Sequence, residues 1–282
     1  MHSFRKEKKL KVFIQANCQS HALRAMFQKL DRLNHKYEIL DVKPVHLWKE
    51  KDTEYIHNKI KECDIFLHQP ILELHFGAFA SENIKKYLSQ HAVSVSFPNL
   101  YFTGYHPQAF YLKDITGKKI FEPFDYHDRN VVEFFKEGLS VEDMVEKIKD
   151  ENFYTPQEIK KNIDQSLKDL RERETHTDIQ MSDYIEERMM GKKLFHIFNH
   201  PSNEILFELF DRILERVGES TLNEEEKVLF PNEMLGQVSY PVYKSVQNYF
   251  NIDEELYLKN YKDDYSLIAM IEKYINIYKS ID

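Results

Sequence analysis

Cysteine and glycine are scarce in this chain. Its two cysteines, Cys18 and Cys63, are too few for a disulfide framework, and neither belongs to a C-x-x-C pair of the metal-binding kind. The seven glycines form no G-x-G-x-x-G or Walker-type loop, and the histidines and carboxylates show no recognisable metal-ligand spacing. We therefore expect a reduced protein without a metal and without a glycine-rich phosphate loop.

A basic charge excess and a long apolar run are also missing. The formal net charge is -8 at pH 7, whereas a surface that binds nucleic-acid phosphates usually needs a basic excess. No stretch approaches the roughly 18 apolar residues of a membrane span, and the apolar run near the N-terminus is too short for a signal-peptide core. We expect no nucleic-acid partner, no membrane span and a cytoplasmic location.

The first hundred residues do contain a regular alternation of strand-like and helix-like segments. The strand-like runs are KVFIQ, YEILDV, DIFLHQ and VSVSF, with amphipathic helical patterns between them, and Ser81 is predicted to cap the helix SENIKKYLSQ. Such alternation is typical of βαβ units and a parallel sheet. From about residue 130 the pattern becomes helical.

We therefore predict an α/β fold of the SGNH-like or Rossmann-like kind. An N-terminal parallel sheet with flanking helices, residues 1–130, is followed by a largely helical C-terminal half, residues 131–282. The two parts are expected to pack as one compact unit.

Cys18 follows the first strand directly, in the polar segment Asn17-Cys18-Gln19-Ser20, and helical spacing begins just after it. Ligands of parallel sheets bind beyond the carboxyl ends of strands, and a helix N-terminus offers unpaired N–H groups for an anion. The same position predicts a Cys18 pKa below the usual value of about 8.5. The alternative is a small buried thiol beside a helix-capping asparagine. Cys63 has no polar cluster around it and is predicted to be core.

Two constrained polar segments supply histidines that are candidates for the base or imidazolium partner of such a thiol. The aromatic loop FPNLYFTGYHPQAF contains His106, and LFHIFNHPSN contains His200 just before a helix. His21, on the first helix, is a weaker candidate. For each histidine the alternative is a structural role, such as holding backbone carbonyls in place.

In combination, several motifs resemble the WcbI-like polysaccharide biosynthesis acetyltransferase family. They are, in order, ANCQ after the first strand, DIFLHQP, PNLYFTGYHP, RETHTDIQMSDYI, LFHIFNHPSN and VSYPVYKSV. The resemblance extends from about residue 11 to residue 247. Two positions differ from the usual family pattern, with Ala16 in place of glycine and Gln108 in place of an acid.

The resemblance implies an acyltransferase that binds coenzyme A and O-acetylates a sugar of a capsular or other surface polysaccharide. Its partners would be acetyl-CoA and a polysaccharide or sugar-nucleotide-derived acceptor. The catalytic positions that the resemblance implies are Cys18, His200 and His106. The expected substrate- or CoA-binding positions are Asn17, Gln19, Ser20, Gln69, Gly104, Tyr105, Asn199 and Arg173.

Two routes of acetyl transfer are compatible with these residues. In the first, Cys18 attacks the thioester and carries the acetyl group; in the second, His200 or His106 deprotonates the sugar hydroxyl and Cys18 helps to position the thioester. The place of Cys18 at a helix N-terminus favours the covalent route. The alternatives are a cysteine-type SGNH-like esterase that deacetylates glycans, and a non-catalytic glycan-binding protein that uses the aromatic loop.

Overall fold

The computed structural model describes residues 8–281. They form two compact units, each assembled from three segments of the chain. Unit 1 contains the described residues up to Asn99 together with Leu170–Ser182 and Asn203–Met234. Unit 2 contains Leu100–Asp169, Asp183–Ser202 and Leu235 onwards. The predicted boundary between residues 130 and 131 falls inside unit 2, and a division there stays a prediction.

The first hundred residues of unit 1 alternate between strands and helices, as the sequence pattern predicts. In chain order they form β1 (Leu10–Gln15), α1 (Gln19–Lys29), α2 (Asp31–Lys36), β2 (Tyr37–Ile39), α3 (Thr53–Glu62), β3 (Ile65–His68), α4 (Glu73–Phe76), α5 (Ser81–Lys85) and β4 (Val93–Ser96).

The four strands form one parallel sheet in the order β2-β1-β3-β4, which confirms the predicted α/β class. Gln15 of β1 pairs with His68 of β3, which in turn pairs with Ser96 of β4. Because parallel register brings like ends of strands together, the segments that follow Gln15, His68 and Ser96 leave the sheet at the same edge. This is the edge at which parallel sheets bind ligands.

One apolar cluster covers a face of this sheet. Phe13 of β1 packs against Phe66 of β3, with ring centroids 5.8 Å apart, and against the edge of Trp48 at 6.2 Å. Cys63 is part of the same cluster and is buried, and burial raises its pKa to about 12. The prediction that Cys63 is a core residue is therefore confirmed.

The remainder of the chain adds helices and short strands. They are β5 (Ala109–Phe110), β6 (His127–Asp128), α6 (Arg129–Lys136), α7 (Val141–Lys149), α8 (Pro156–Glu174), α9 (Ser182–Arg188), β7 (Phe195–Ile197), β8 (His200–Pro201), α10 (Asn203–Arg216), α11 (Glu224–Lys227), β9 (Val238–Ser239), α12 (Lys244–Phe250), β10 (Tyr257–Asn260), β11 (Asp263–Ser266) and α13 (Leu267–Ile281).

Unit 2 also contains antiparallel pairs that the sequence pattern does not predict. β9, β10 and β11 form a three-stranded sheet in the order β11-β10-β9 within the last sixty residues, which we expected to be helical. The segments YLKN and DDYS lack the apolar alternation of a half-buried strand, and they pair with each other as a hairpin around Tyr261 and Lys262. Tyr261 takes a positive φ of 57° at this turn, where glycine or asparagine would be the usual sequence signal. Among residues 8–281, no helix is both long and apolar enough to cross a membrane.

Candidate active site

Cys18 lies between the end of β1 and the first residue of α1. Its backbone is helical, with φ -54° and ψ -24°, and its side chain is half-buried. Ala16, two residues before Cys18, is buried and has no positive φ, so alanine fits at this turn. The predicted junction of strand, polar turn and helix is therefore present.

Four side-chain amides surround this junction, and we call them the amide cluster: Asn17, Gln19, Gln69 and Asn99. Gln69 accepts a hydrogen bond from the Asn17 backbone N–H at Oε1 (3.0 Å) and donates from Nε2 to Gln19 Oε1 (2.8 Å). Asn17 donates from Nδ2 to Asn99 Oδ1 (2.9 Å) and accepts at Oδ1 from the Gln19 N–H (2.9 Å). The segments following β1, β3 and β4 are thus tied together by amides.

A second layer of hydrogen bonds holds Gln69 in place. The hydroxyl of Ser81 donates to the Gln69 carbonyl oxygen at 3.2 Å and accepts from the Ile71 N–H at 2.9 Å. The side chain of Ser81 does not cap α5, and α5 ends at Lys85. The predicted capping role of Ser81 and the predicted length of the helix are both wrong. The serine instead fixes the backbone that carries Gln69.

The pKa of Cys18 is raised to about 11, and the prediction of a lowered pKa is wrong. Burial of the thiol disfavours its charged form, and this effect exceeds the opposing stabilisation by the backbone N–H groups of Cys18 and Gln19. A helix N-terminus lowers a thiol pKa only when the sulfur is also sufficiently solvated or paired with a cation. Cys18 is therefore a neutral thiol at pH 7.

The N–H groups of the first helical turn are engaged within the turn itself. Ser20 donates to the Asn17 carbonyl oxygen and His21 to that of Cys18, both at 3.0 Å, while Gln19 donates to the Asn17 side chain. These three groups are not the unpaired donors that we expected for an anion. Ser20 is buried, whereas the side chain of His21 is exposed.

His200 and Asn199 lie in unit 2, where they share one partner. The hydroxyl of Tyr126 donates to Asn199 Oδ1 at 2.9 Å and lies 3.5 Å from His200 Nε2. Asn199 also donates from Nδ2 to the hydroxyl of Tyr111 at 3.1 Å. Burial lowers the pKa of His200 to about 4, so its imidazole is neutral at pH 7. Tyr111 and Tyr126 carry no local sequence signal that would have identified them.

The aromatic loop places Gly104, Tyr105 and His106 inside unit 2. A Cβ atom on Gly104 would lie 2.3 Å from the Phe102 ring, so any larger residue would require this ring to shift. The buried Tyr105 hydroxyl bonds to the carbonyl oxygen of Met189 at 2.6 Å. These contacts favour structural roles for both residues, and their substrate-binding roles stay predictions.

His106 is fully buried, and its Nε2 lies 3.1 Å from the Tyr240 carbonyl oxygen. Because a carbonyl only accepts, Nε2 carries the proton. Burial lowers the pKa of His106 to about 3. This geometry favours the structural alternative, in which the histidine holds a backbone carbonyl, and a catalytic role for His106 stays a prediction.

Arg173 lies half-buried in the last turn of α8, in unit 1. The neighbouring Glu174 is buried and accepts from the N–H groups of Met181 and Ser182, which fixes the chain after the helix. Asp178, in the same segment, accepts at Oδ2 from the Ser96 hydroxyl at 2.6 Å. CoA binding by Arg173 stays a prediction.

Within unit 1 the fold thus brings together five predicted positions: Asn17, Cys18, Gln19, Ser20 and Gln69. Asn99 completes this group, and the sequence did not predict its place there. The local sequence around a loop asparagine does not indicate which strand end its side chain will contact. Within residues 8–281, no group of three or more histidine, cysteine or carboxylate side chains is arranged to hold a metal ion.

The comparison with solved structures finds the same architecture elsewhere. The chain matches a structure of WcbI, described as a novel polysaccharide biosynthesis enzyme, with a TM-score of 0.83 and 17% sequence identity. The match covers 97% of this chain and 90% of that chain. That structure is described as the native protein without a disulfide bond between CoA and one of its cysteines. At this identity the likeness establishes the fold.

The sequence comparisons give the family. No curated protein matches the chain. The family model for the polysaccharide biosynthesis enzyme WcbI matches residues 11–222, which is most of the chain and includes both Cys18 and His200. This chain therefore belongs to the WcbI family of polysaccharide biosynthesis enzymes.

Proposed function

We propose that this protein transfers an acetyl group from acetyl-CoA to a sugar hydroxyl of a surface polysaccharide, with Cys18 beside the reacting thioester. The observation that carries the proposal is the amide cluster, which connects the residues on both sides of the half-buried Cys18 at the carboxyl edge of a parallel sheet. Family membership supports polysaccharide as the substrate class. The description of the WcbI structure, which names CoA together with a cysteine, supports CoA as the donor.

The amide cluster has the chemistry to stabilise a reacting thioester. Each side-chain NH₂ group has two hydrogens, and those of Asn17 and Gln69 each donate one to another amide of the cluster. We propose the second N–H of each as a donor for the oxygen on which negative charge develops during acyl transfer. Because Gln69 is itself held by Ser81, this donor is positioned before the substrate binds.

The raised pKa of Cys18 favours direct transfer over the covalent route. At pH 7 a thiol with a pKa of about 11 is ionised in about one molecule in ten thousand, so a thiolate nucleophile is scarce. In direct transfer the sugar oxygen bonds to the acetyl carbon and the carbon–sulfur bond of acetyl-CoA breaks. The hydroxyl proton passes to a base and then to the CoA thiolate, while Cys18 keeps its own proton.

We propose His200, which lies within the residues that the family model matches, as the base for the sugar hydroxyl. It is neutral at pH 7, as a proton acceptor must be, and Tyr126 and Asn199 define its surroundings within unit 2. His106 is less suited because its side chain is fully buried within unit 2.

The decisive experiment follows free CoA release from acetyl-CoA with and without a polysaccharide acceptor, alongside a thermal-shift titration with CoA. We expect stabilisation by CoA in the wild type and in Cys63→Ala, which serves as the thiol control, and a reduced shift in Cys18→Ala. Acceptor-dependent CoA release should fall strongly in His200→Gln. Absence of any CoA response, or acetate release from an acetylated glycan without CoA, would contradict the proposal and favour the binding or esterase alternatives.

Intact-protein mass spectrometry after quenching separates the two routes. Direct transfer predicts no acetylated enzyme and substantial residual activity in Cys18→Ser. Accumulation of one acetyl group on Cys18, lost when acceptor is added, would establish the covalent route instead.

A further inference from the structure

Unit 1 contains a cavity of about 260 Å³ between the segment after β2 and helix α3. None of its lining residues belongs to the amide cluster. The cavity is lined by Asp41, Lys43, Trp48, Asp52, Tyr55 and Ile56.

Two aromatic rings with fixed orientations dominate this cavity. Trp48 is only 8% exposed, packs edge-on against Phe79 at 5.3 Å, and donates from its indole N–H to the Lys43 carbonyl oxygen at 2.7 Å. Tyr55 is 47% exposed, and its hydroxyl donates to the Asp41 carbonyl oxygen at 2.6 Å. Because the polar tips of both rings are satisfied by backbone, their apolar surfaces are what they offer to a ligand.

Two carboxylates that can accept further hydrogen bonds lie beside these rings. The Asp41 carboxylate is 96% exposed, with a single contact of 3.3 Å to Arg24. Asp52 uses one oxygen to accept from the Lys49 N–H at 2.9 Å, which leaves its other oxygen as an acceptor. Lys43 is part of the lining, Arg24 pairs with Asp41, and Lys59 lies with its Nζ 5.6 Å from the centroid of the Tyr55 ring, so charges of both signs surround the cavity.

We propose that this cavity is a second carbohydrate site, which binds a neutral sugar residue of the polysaccharide and shares no lining residue with the amide cluster. A sugar ring has an apolar face for Tyr55 and hydroxyl groups that donate to the Asp41 and Asp52 carboxylates, whereas the carboxylate of an acidic sugar has no proton to donate to them. A polymeric substrate extends beyond the unit that reacts, so a second site raises affinity through multivalency. The proposal rests on membership of a polysaccharide-biosynthesis family and not on acetyl transfer.

The chain itself supplies the probe, because Trp48 is its only tryptophan. Tryptophan fluorescence is titrated with neutral trisaccharides of gluco, galacto and manno configuration, and with trigalacturonate as the acidic counterpart. We expect a saturable change with at least one neutral trisaccharide and a weaker response to trigalacturonate. The response should persist in Cys18→Ala, so that failure of the acetyl-transfer proposal does not affect it.

Variants locate the binding within the cavity. Tyr55→Ala should weaken the affinity about tenfold and Asp41→Asn about fivefold, whereas Tyr55→Phe should stay within about twofold. Tyr257→Ala removes a comparably exposed tyrosine of unit 2 and should leave the affinity unchanged. The proposal is overturned if no neutral trisaccharide gives a saturable change, if Tyr55→Ala binds as well as the wild type, or if trigalacturonate binds more tightly.

Discussion

The side chain of Gln69 accepts a hydrogen bond from the backbone N–H of Asn17 at 3.0 Å, across a sequence separation of 52 residues. Its Nε2 reaches Gln19 at the start of α1, so one amide joins both sides of the Cys18 turn to the end of β3. The orientation of the thiol thus depends on a residue outside its own strand–turn–helix unit.

Replacing Gln69 with leucine should reduce both stability and CoA response. The substitution leaves the Asn17 N–H and the Gln19 Oε1 without their partner in a buried region, which we expect to lower the free energy of unfolding by about 2 to 4 kcal/mol. Urea unfolding and thermal-shift titration with CoA measure the two effects. The matched control is Gln90→Leu, at an exposed position, which should change the stability by less than about 0.5 kcal/mol. Equal effects of the two variants would remove the role assigned to Gln69.

Cys18 should react slowly with iodoacetamide at pH 7. With a pKa of about 11, we expect its alkylation to be roughly 20-fold slower than that of an unstructured cysteine peptide, or slower still because it is half-buried. The rate should rise about tenfold per pH unit at alkaline pH, as long as the fold is intact. Mass spectrometry of the Cys18 peptide measures it. A rate that has already levelled off near pH 7 would show that the thiol is activated after all.

Gly104→Ala should destabilise the protein by about 1 to 3 kcal/mol, because the added methyl group overlaps the Phe102 ring. A double-mutant cycle with Phe102→Leu tests the cause. If the clash is with the ring, the double variant loses less stability than the sum of the two single variants. Additive losses in urea unfolding would place the cost elsewhere.

Stability should fall as the pH is lowered from about 6.5 towards 4. Burial lowers the pKa of His68, His127 and His200 to about 4, and that of His106 to about 3. At a pH between the ordinary pKa of about 6.5 and the folded-state pKa, these histidines bind protons in the unfolded chain but not in the folded chain. Their contribution to stability is therefore complete above pH 6.5 and is lost as the pH falls. Burial raises the pKa of Asp128 to about 6, so between pH 3.8 and 6 this residue binds a proton in the folded chain but not in the unfolded chain. Asp128 therefore makes the fall of stability with decreasing pH less steep.

His68→Phe isolates one part of this pH dependence. The ring of His68 stacks on Phe66 at 4.5 Å, and neither of its nitrogens has a hydrogen-bond partner among the described residues, so phenylalanine is a close substitute. Urea unfolding at several pH values should show a slope reduced by about 1.4 kcal/mol per pH unit between pH 4 and 6.5. An unchanged slope would mean that His68 already binds a proton in this range.

Local sequence pattern was sufficient for the α/β half of the fold. A strand's period of two and a helix's period of 3.6 are properties of neighbouring residues, so β1, β3 and α3 could be located without knowing their partners. The same reasoning placed Cys18 at the end of β1. It failed for β10 and β11, a hairpin whose strands are polar and whose turn has Tyr261 at positive φ in place of the usual glycine or asparagine.

The sequence by itself determined the parallel sheet, the polar turn that carries Cys18 and, through its motifs, the family. Only the tertiary structure decided that Asn99 joins this turn, that Ser81 supports Gln69 instead of capping a helix, and that the thiol is neutral. The physical reason is that hydrogen-bond partners and burial depend on segments that are distant along the chain. For Cys18, desolvation by those segments exceeds the stabilisation of a thiolate by its own helix.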